Sequence, residues 1–137
     1  MTSSTDPEVY TSLLQHFARY FDACDAKDLD AVMGIVEGAT VIAGTTSTSD
    51  PEAIRAIYDT RQVAPLPDGR RQTKHHVTNL IVEDSDSGDE VTARVYYFRL
   101  QPSDSGPRVA ASGRLEQVVI RAGTRWQVLS HSIISDF

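Results

Sequence analysis

The spacing of apolar residues changes once along this chain, and that change restricts the fold more than any other feature. Up to Arg61 apolar positions recur mostly every three or four residues; from Thr73 onward they alternate or run together in β-branched stretches. Asp6-Pro7-Glu8 reads as a helix start. Asp6 caps free amides, Pro7 suits the first helical turn, and Glu8 sits at the positive end of the dipole. Val9, Leu13, Phe17, Tyr20 and Cys24 then follow at helical spacing, with Leu14 and Phe21 widening the stripe. Asp25 to Asp28 breaks the pattern. Leu29, Val32, Met33 and Val36 mark a short second helix, which Gly38 ends. Thr40 to Ala43 reads as a short strand and Gly44 to Asp50 as a polar loop. Asp50-Pro51-Glu52 repeats the start signal for a third helix with Ile54, Ile57 and Tyr58 turned inward.

Four strands are expected beyond it, at 73–83, 90–101, 108–121 and 126–134, with turns at 84–89, 102–107 and Ala122-Gly123. Gly113 marks a bend or bulge in the third of these. Segregated helices and strands predict an α+β fold in which three N-terminal helices pack on a strongly curved antiparallel sheet. All 137 residues are read as one domain. A chain this long buries ~68% of its unfolded surface, so metals or disulfides are not needed as staples. Several strands are apolar on both sides: Val77 and Ile81 oppose Leu80 and Val82, and Leu129 and Ile133 oppose Val128 and Ile134. One side covers the helices. The other needs its own cover, which predicts a homodimer through the convex face of the sheet.

Charge and cysteine content narrow the partners. The net charge is −6 and no basic stripe is present, which argues against nucleic acid. The single cysteine, Cys24, excludes an intrachain disulfide and fits a reducing compartment. No segment is apolar for long enough to span a bilayer, and the expectation is a cytoplasmic protein with no membrane partner.

Two short stretches carry a resemblance. Cys24-Asp25-Ala26-Lys27-Asp28-Leu29-Asp30 resembles the aspartate-bearing turn of the scytalone dehydratases, and His75-His76-Val77-Thr78-Asn79-Leu80 resembles the histidine strand of the hexachlorocyclohexane dehydrochlorinases. Both groups belong to the NTF2-like (SnoaL-like) superfamily, whose order of elements this chain resembles from about residue 8 to 134. The resemblance implies a cone of helices and curved sheet around one pocket. It also implies a dyad in which Asp25 orients and charges His75, and His75 removes a proton beside a leaving group. Cys24 stands where the dehydratases keep a tyrosine, and no histidine lies between Arg108 and Arg121, so dehydration of scytalone itself is not expected. The dehydrochlorinases' arginine corresponds loosely to Arg121.

The chemistry of such a dyad is straightforward. Histidine titrates near neutral pH, and a carboxylate on one ring nitrogen fixes the tautomer that leaves the other basic. The residues by themselves also allow Asp25 to be a helix cap and His75 an ordinary strand residue. Because strand side chains alternate, His75 shares a face with Val77, Asn79 and Ile81, and His76 with Thr78, Leu80 and Val82. Alternation does not choose between the two histidines; the resemblance selects His75. Tyr20, Cys24, Tyr58 and Asn79 are expected in the pocket wall. The proline-containing loop from Arg61 to Gln72 is expected to cover its mouth. His16 is read as a boundary residue beside the first helix's stripe, and His131 as a satisfied interface histidine. No cluster has metal-ligand spacing, and no cofactor is expected. The function expected is a cofactor-independent, dehydratase-like lyase or isomerase acting on a small apolar cyclic or oxygenated molecule. Two alternatives stay open: a non-catalytic ligand-binding module, and a structural dimer with a vestigial pocket.

Overall fold

The computed structural model describes residues 4–86 and 88–137; position 87, in the turn expected at 84–89, lies outside them. The three helices fall where their start signals put them. α1 spans Pro7–Asp25, and the Asp6 carboxylate accepts the Glu8 N–H at 2.9 Å. α2 spans Leu29–Val36 and is capped by Asp28, which accepts the Ala31 N–H. α3 spans Pro51–Arg61 and is capped by Asp50 through the Ala53 N–H. Caps of this kind are each worth about 1 kcal/mol. Val9, Leu13, Phe17, Tyr20, Phe21 and Cys24 are buried along α1, with Leu13 and Phe17 fully out of water, whereas Leu14, expected to widen the stripe, is exposed. Burying a Leu or Phe side chain contributes roughly 1.5–3 kcal/mol, so this stripe, more than helix propensity, holds α1 on the sheet.

The strands are β1 (Thr40–Ala43), β2 (Thr46–Thr48), β3 (Lys74–Asp84), β4 (Glu90–Ser103), β5 (Gly106–Ala122) and β6 (Arg125–Ser135). They form one sheet in the order β2-β1-β6-β5-β4-β3. Two details depart from the sequence reading. The segment expected as a polar loop contains β2, joined to β1 by Gly44-Thr45 with Gly44 at φ +63, the left-handed first residue that a tight hairpin uses. And β1 lies parallel to β6, while every other pair is antiparallel. The long crossover through α3 and the meander makes that parallel contact possible.

Bulges bend the sheet, and none is at Gly113. Gly113 pairs in register with Tyr97 on one side and Ser135 on the other. Its lack of a side chain serves close approach instead: a Cβ there would meet the Ile134 carbonyl and lie 2.8 Å from the Tyr97 hydroxyl. The pairing slips at Ala110 on β5 and at Leu129 on β6. A third slip lies between Thr78 and Ile81 on β3, where Asn79 has φ +58. Each slip reverses the parity of the side chains beyond it. On β3, Leu80 and Val82 therefore turn inward with His75 and Val77, while Ile81 is exposed. The faces expected from strict alternation hold only as far as Thr78. On β6, Val128 and His131 share the core side, out of simple alternation. Among the described residues no helix is long and apolar enough to cross a membrane.

Candidate functional site

Asp25 is the last residue of α1, and its side chain is turned toward the start of β3. Its Oδ1 accepts the Thr73 hydroxyl at 2.8 Å and faces His75 Nδ1 at 2.6 Å; its Oδ2 accepts the His75 backbone N–H at 2.8 Å. The carboxylate thus ties the end of the first helix to the first long strand. The capping role open to it in the sequence belongs to Asp28. Burial alone would raise the Asp25 carboxyl, but the hydrogen bonds from His75 and Thr73 outweigh it, and the net shift is downward. An ionised carboxylate only accepts, so Nδ1 of His75 carries the proton and Nε2 is left with its lone pair. The imidazole is stacked on Phe21, centroids 4.8 Å apart and 11° from parallel, and leans on Tyr97. His76 points the other way, exposed and stacked on Phe98.

His75 lines a small, partly open cavity of about 100 Å³. Asp25 is not among the lining residues; it and His75 both border a separate open groove of about 500 Å³, together with Phe21, Arg71 and Lys74. Tyr20, Cys24 and Tyr58 line the cavity, and Gln62, Val63, Thr73 and Leu115 complete much of its wall. Asn79, expected in the wall, is not there: it occupies the β3 bulge, exposed on the outside of the sheet. Burial pushes the Cys24 thiol up to about 11 and holds both the Tyr20 and Tyr58 hydroxyls above their ordinary range. At neutral pH these groups keep their protons, and because one tyrosine hydroxyl donates to the other, only one of that pair has a proton left for an entering ligand. Gln62 Oε1 is buried with no partner among the described residues, an acceptor that a ligand hydroxyl would satisfy. The last residue of α3, Arg61, and the loop after it, through Gln62 and Val63, contribute to the wall, and Gln72 fastens the loop's far end through the Ala64 carbonyl. Arg61, Tyr97, Arg99 and Ile133 form a neck, since they also line an open outer groove of about 730 Å³.

Behind the cavity runs a chain of buried polar groups that alternation does not reveal. His16 Nε2 donates to Gln117 Oε1 at 2.8 Å. Gln117 Nε2 donates to His131 Nδ1 at 2.8 Å, which places the His131 proton on Nε2, 3.1 Å from the Tyr20 hydroxyl. Tyr20 and Tyr58 hydroxyls lie 2.9 Å apart. His131, expected at an interface, is instead fully buried in the core, where burial lowers it to about 3 and keeps it neutral. His16 is partly buried and also lowered, by burial against the pull of Gln117. The one signal for this chain in the sequence is Gln117 itself, a polar residue in an inward position between Leu115 and Val119. Arg121 is far from the dyad. It pairs with Glu8 and Ser12 and lies over Trp126. Glu8 and Asp25 sit at opposite ends of α1, about 25 Å apart at 1.5 Å per residue. Among the described residues no group of three or more His, Cys, Asp or Glu side chains gathers as metal ligands would.

The model of the SnoaL-like domain family matches residues 5–131. Aln2 from a Streptomyces species is similar in structure, with 26% identity, 96% of this chain and 93% of that chain covered, and a TM-score of 0.75. ActVI-ORFA from Streptomyces coelicolor has 16% identity, 94% and 98% coverage and a TM-score of 0.79. A protein from Catenulispora acidiphila, solved in complex with S-DNPA, has 20% identity, 96% coverage of both chains and a TM-score of 0.74. No curated protein matches the sequence.

Proposed function

We propose that this chain, which belongs to the SnoaL-like family, is a cofactor-independent lyase or isomerase in which Asp25 and His75 act as a dyad on a small cyclic or oxygenated molecule. The observation that carries this reading is the 2.6 Å contact between Asp25 and His75 Nδ1, combined with the place of His75 in the wall of the cavity. Nε2 takes a proton from a carbon that is acidified by a neighbouring carbonyl. Asp25 stabilises the imidazolium that forms. The electron pair left on carbon then either expels a leaving group from the adjacent carbon, which is a lyase reaction, or shifts so that the proton returns elsewhere, which is an isomerase reaction. The Tyr58 hydroxyl, held protonated by burial, donates to the substrate oxygen on which charge develops, while the Tyr20 hydroxyl accepts from His131 and donates to Tyr58. The neighbour solved with S-DNPA supports a small-molecule role for the fold.

A cavity of about 100 Å³ accepts only the reacting end of a ring-sized molecule; the rest extends through the neck into the outer groove. The test is an assay for water elimination and double-bond migration across a panel of cyclic hydroxyketones. Wild-type turnover that falls ~10²–10⁴-fold in His75→Ala supports the dyad, because general bases contribute on that scale. Binding of the same compounds without turnover supports the alternative, a ligand-binding module.

The proposal includes a homodimer through the sheet face turned away from the helices. That face presents Tyr96, 54% exposed, in one row with Arg114 and Ile134. Charged pairs such as Arg94–Glu83 flank it. Sedimentation equilibrium at micromolar concentration is expected to give a dimer that Tyr96→Arg dissociates. A wild-type monomer would remove the dimer from the account.

A further inference from the structure

We infer that the neck of the cavity is an anion site, and that the ligand of this protein carries a carboxylate held between Arg61 and Arg99. The inference rests on the reading of this cavity as the working site, and it names the substrate class. Both arginines line the inner cavity and the outer groove, so any molecule that spans the two passes their guanidinium groups. Arg55, Arg70, Arg71, Arg94, Arg114 and Arg121 each have a carboxylate partner. Arg19, Arg61, Arg99, Arg108 and Arg125 show no ion pair among the described residues, and of these only Arg61 and Arg99 line the cavity. Arg99 Nε is in addition buried with no hydrogen-bond partner. A buried guanidinium donor without an acceptor is costly, and a protein of net charge −6 has carboxylates to spare for pairing it.

Three acidic groups around the neck are already engaged. Glu116 lines the outer groove and lies 3.9 Å from Arg114; Asp136 accepts from Arg114 at 3.1 Å; Asp59, next but one before Arg61, lies 3.4 Å from Lys27. The positive potential at the neck is felt by the tyrosines beside it. Burial raises Tyr58 and Tyr97; Arg61 opposes the rise at both, and at Tyr97 Arg99 opposes it further while Asp136 adds to it. Guanidinium forks match a carboxylate in shape and charge, which favours a planar acid over a neutral amide or ester of the same size. An acid group at the neck leaves the adjoining carbon skeleton to reach inward toward His75.

The test uses 2-naphthoate and its neutral counterpart 2-naphthamide, titrated calorimetrically at low ionic strength into wild type, His75→Ala, Arg61→Gln, Arg99→Gln, the double arginine variant, and Arg94→Gln as a surface control. Wild type, His75→Ala and Arg94→Gln are expected to prefer the acid roughly tenfold or more, the scale of one charge-assisted hydrogen bond. Each single neck variant should lose part of that preference and the double variant nearly all of it. Arg61 is exposed, so Arg61→Gln keeps the test valid if the Arg99 variants misfold. Equal affinity for acid and amide in wild type, a preference that survives the double variant, or no acid binding at millimolar concentration would overturn the inference. Retention of the preference in His75→Ala separates the anion site from the dyad: a failed dyad leaves this result intact.

Discussion

Asp25 and His75 are 50 positions apart, and one carboxylate receives both the ring N–H and the backbone N–H of the same histidine. The backbone contact fixes where the strand begins and the ring contact fixes which nitrogen is basic. Structure and chemistry are therefore coupled at one residue.

That coupling makes Asp25→Asn informative. With the amide oxygen at the Oδ2 position, its NH₂ faces Nδ1 and forces the proton to Nε2, the wrong tautomer for a base. With the oxygen at Oδ1, the NH₂ opposes the His75 backbone N–H. Either way activity is expected to fall toward that of His75→Ala, and stability by roughly 1–3 kcal/mol, the cost of leaving a buried polar group badly paired. Nitrogen NMR of the His75 ring reads the tautomer directly. A variant that keeps Nδ1 protonated and retains full activity would count against the arrangement.

Asp25 also sets an acid limit. Its carboxyl is shifted below its ordinary 3.8 in the folded state, so the unfolded chain binds the proton more readily. Its contribution is present above that pH and lost as pH falls through the folded value. His131 acts higher on the scale. It is lowered from its ordinary 6.5 to about 3, so between these values the unfolded state binds more protons and stability declines as pH falls. Thermal melts from pH 7 to pH 4 should show this decline, and His131→Asn, whose base-line stability is lower, should show a shallower one. An equal slope in the variant would assign the decline elsewhere.

Much of this site is legible without the structure. The two Asp-Pro-Glu signals locate α1 and α3, and the α1 stripe locates its buried face. The resemblance at Asp25 and His75 names two residues that prove to be in contact. What is not legible depends on single-residue slips. Asn79 at φ +58 reverses β3 beyond it, and Leu129 does the same before His131. Asparagine tolerates the left-handed conformation better than most residues, which suits Asn79 to its bulge, but a lone Asn in a strand does not fix a bulge, and Leu129 carries no such cue. The same holds for Gln117 and Arg99: a polar residue in a strand declares its partners only when the sheet is assembled.

Gly113 links the sheet to the cavity wall. Gly113→Ala places a methyl group against the Ile134 carbonyl and the Tyr97 hydroxyl. Overpacking of this kind costs about 1–3 kcal/mol. A lower melting temperature is expected, together with altered ligand affinity because Tyr97 lines the neck. An unchanged melting temperature would show that the strands part without penalty.

The central claim is that His75, and not its neighbour, removes a proton from carbon. Solvent-deuterium incorporation into a cyclic ketone acid, followed by proton NMR, measures that step without needing the full reaction. Wild type and His76→Ala should exchange the acidic C–H at similar rates, and His75→Ala should be slower by ~10²–10⁴-fold. Exchange that survives His75→Ala unchanged, or that is lost equally in His76→Ala, would contradict the account.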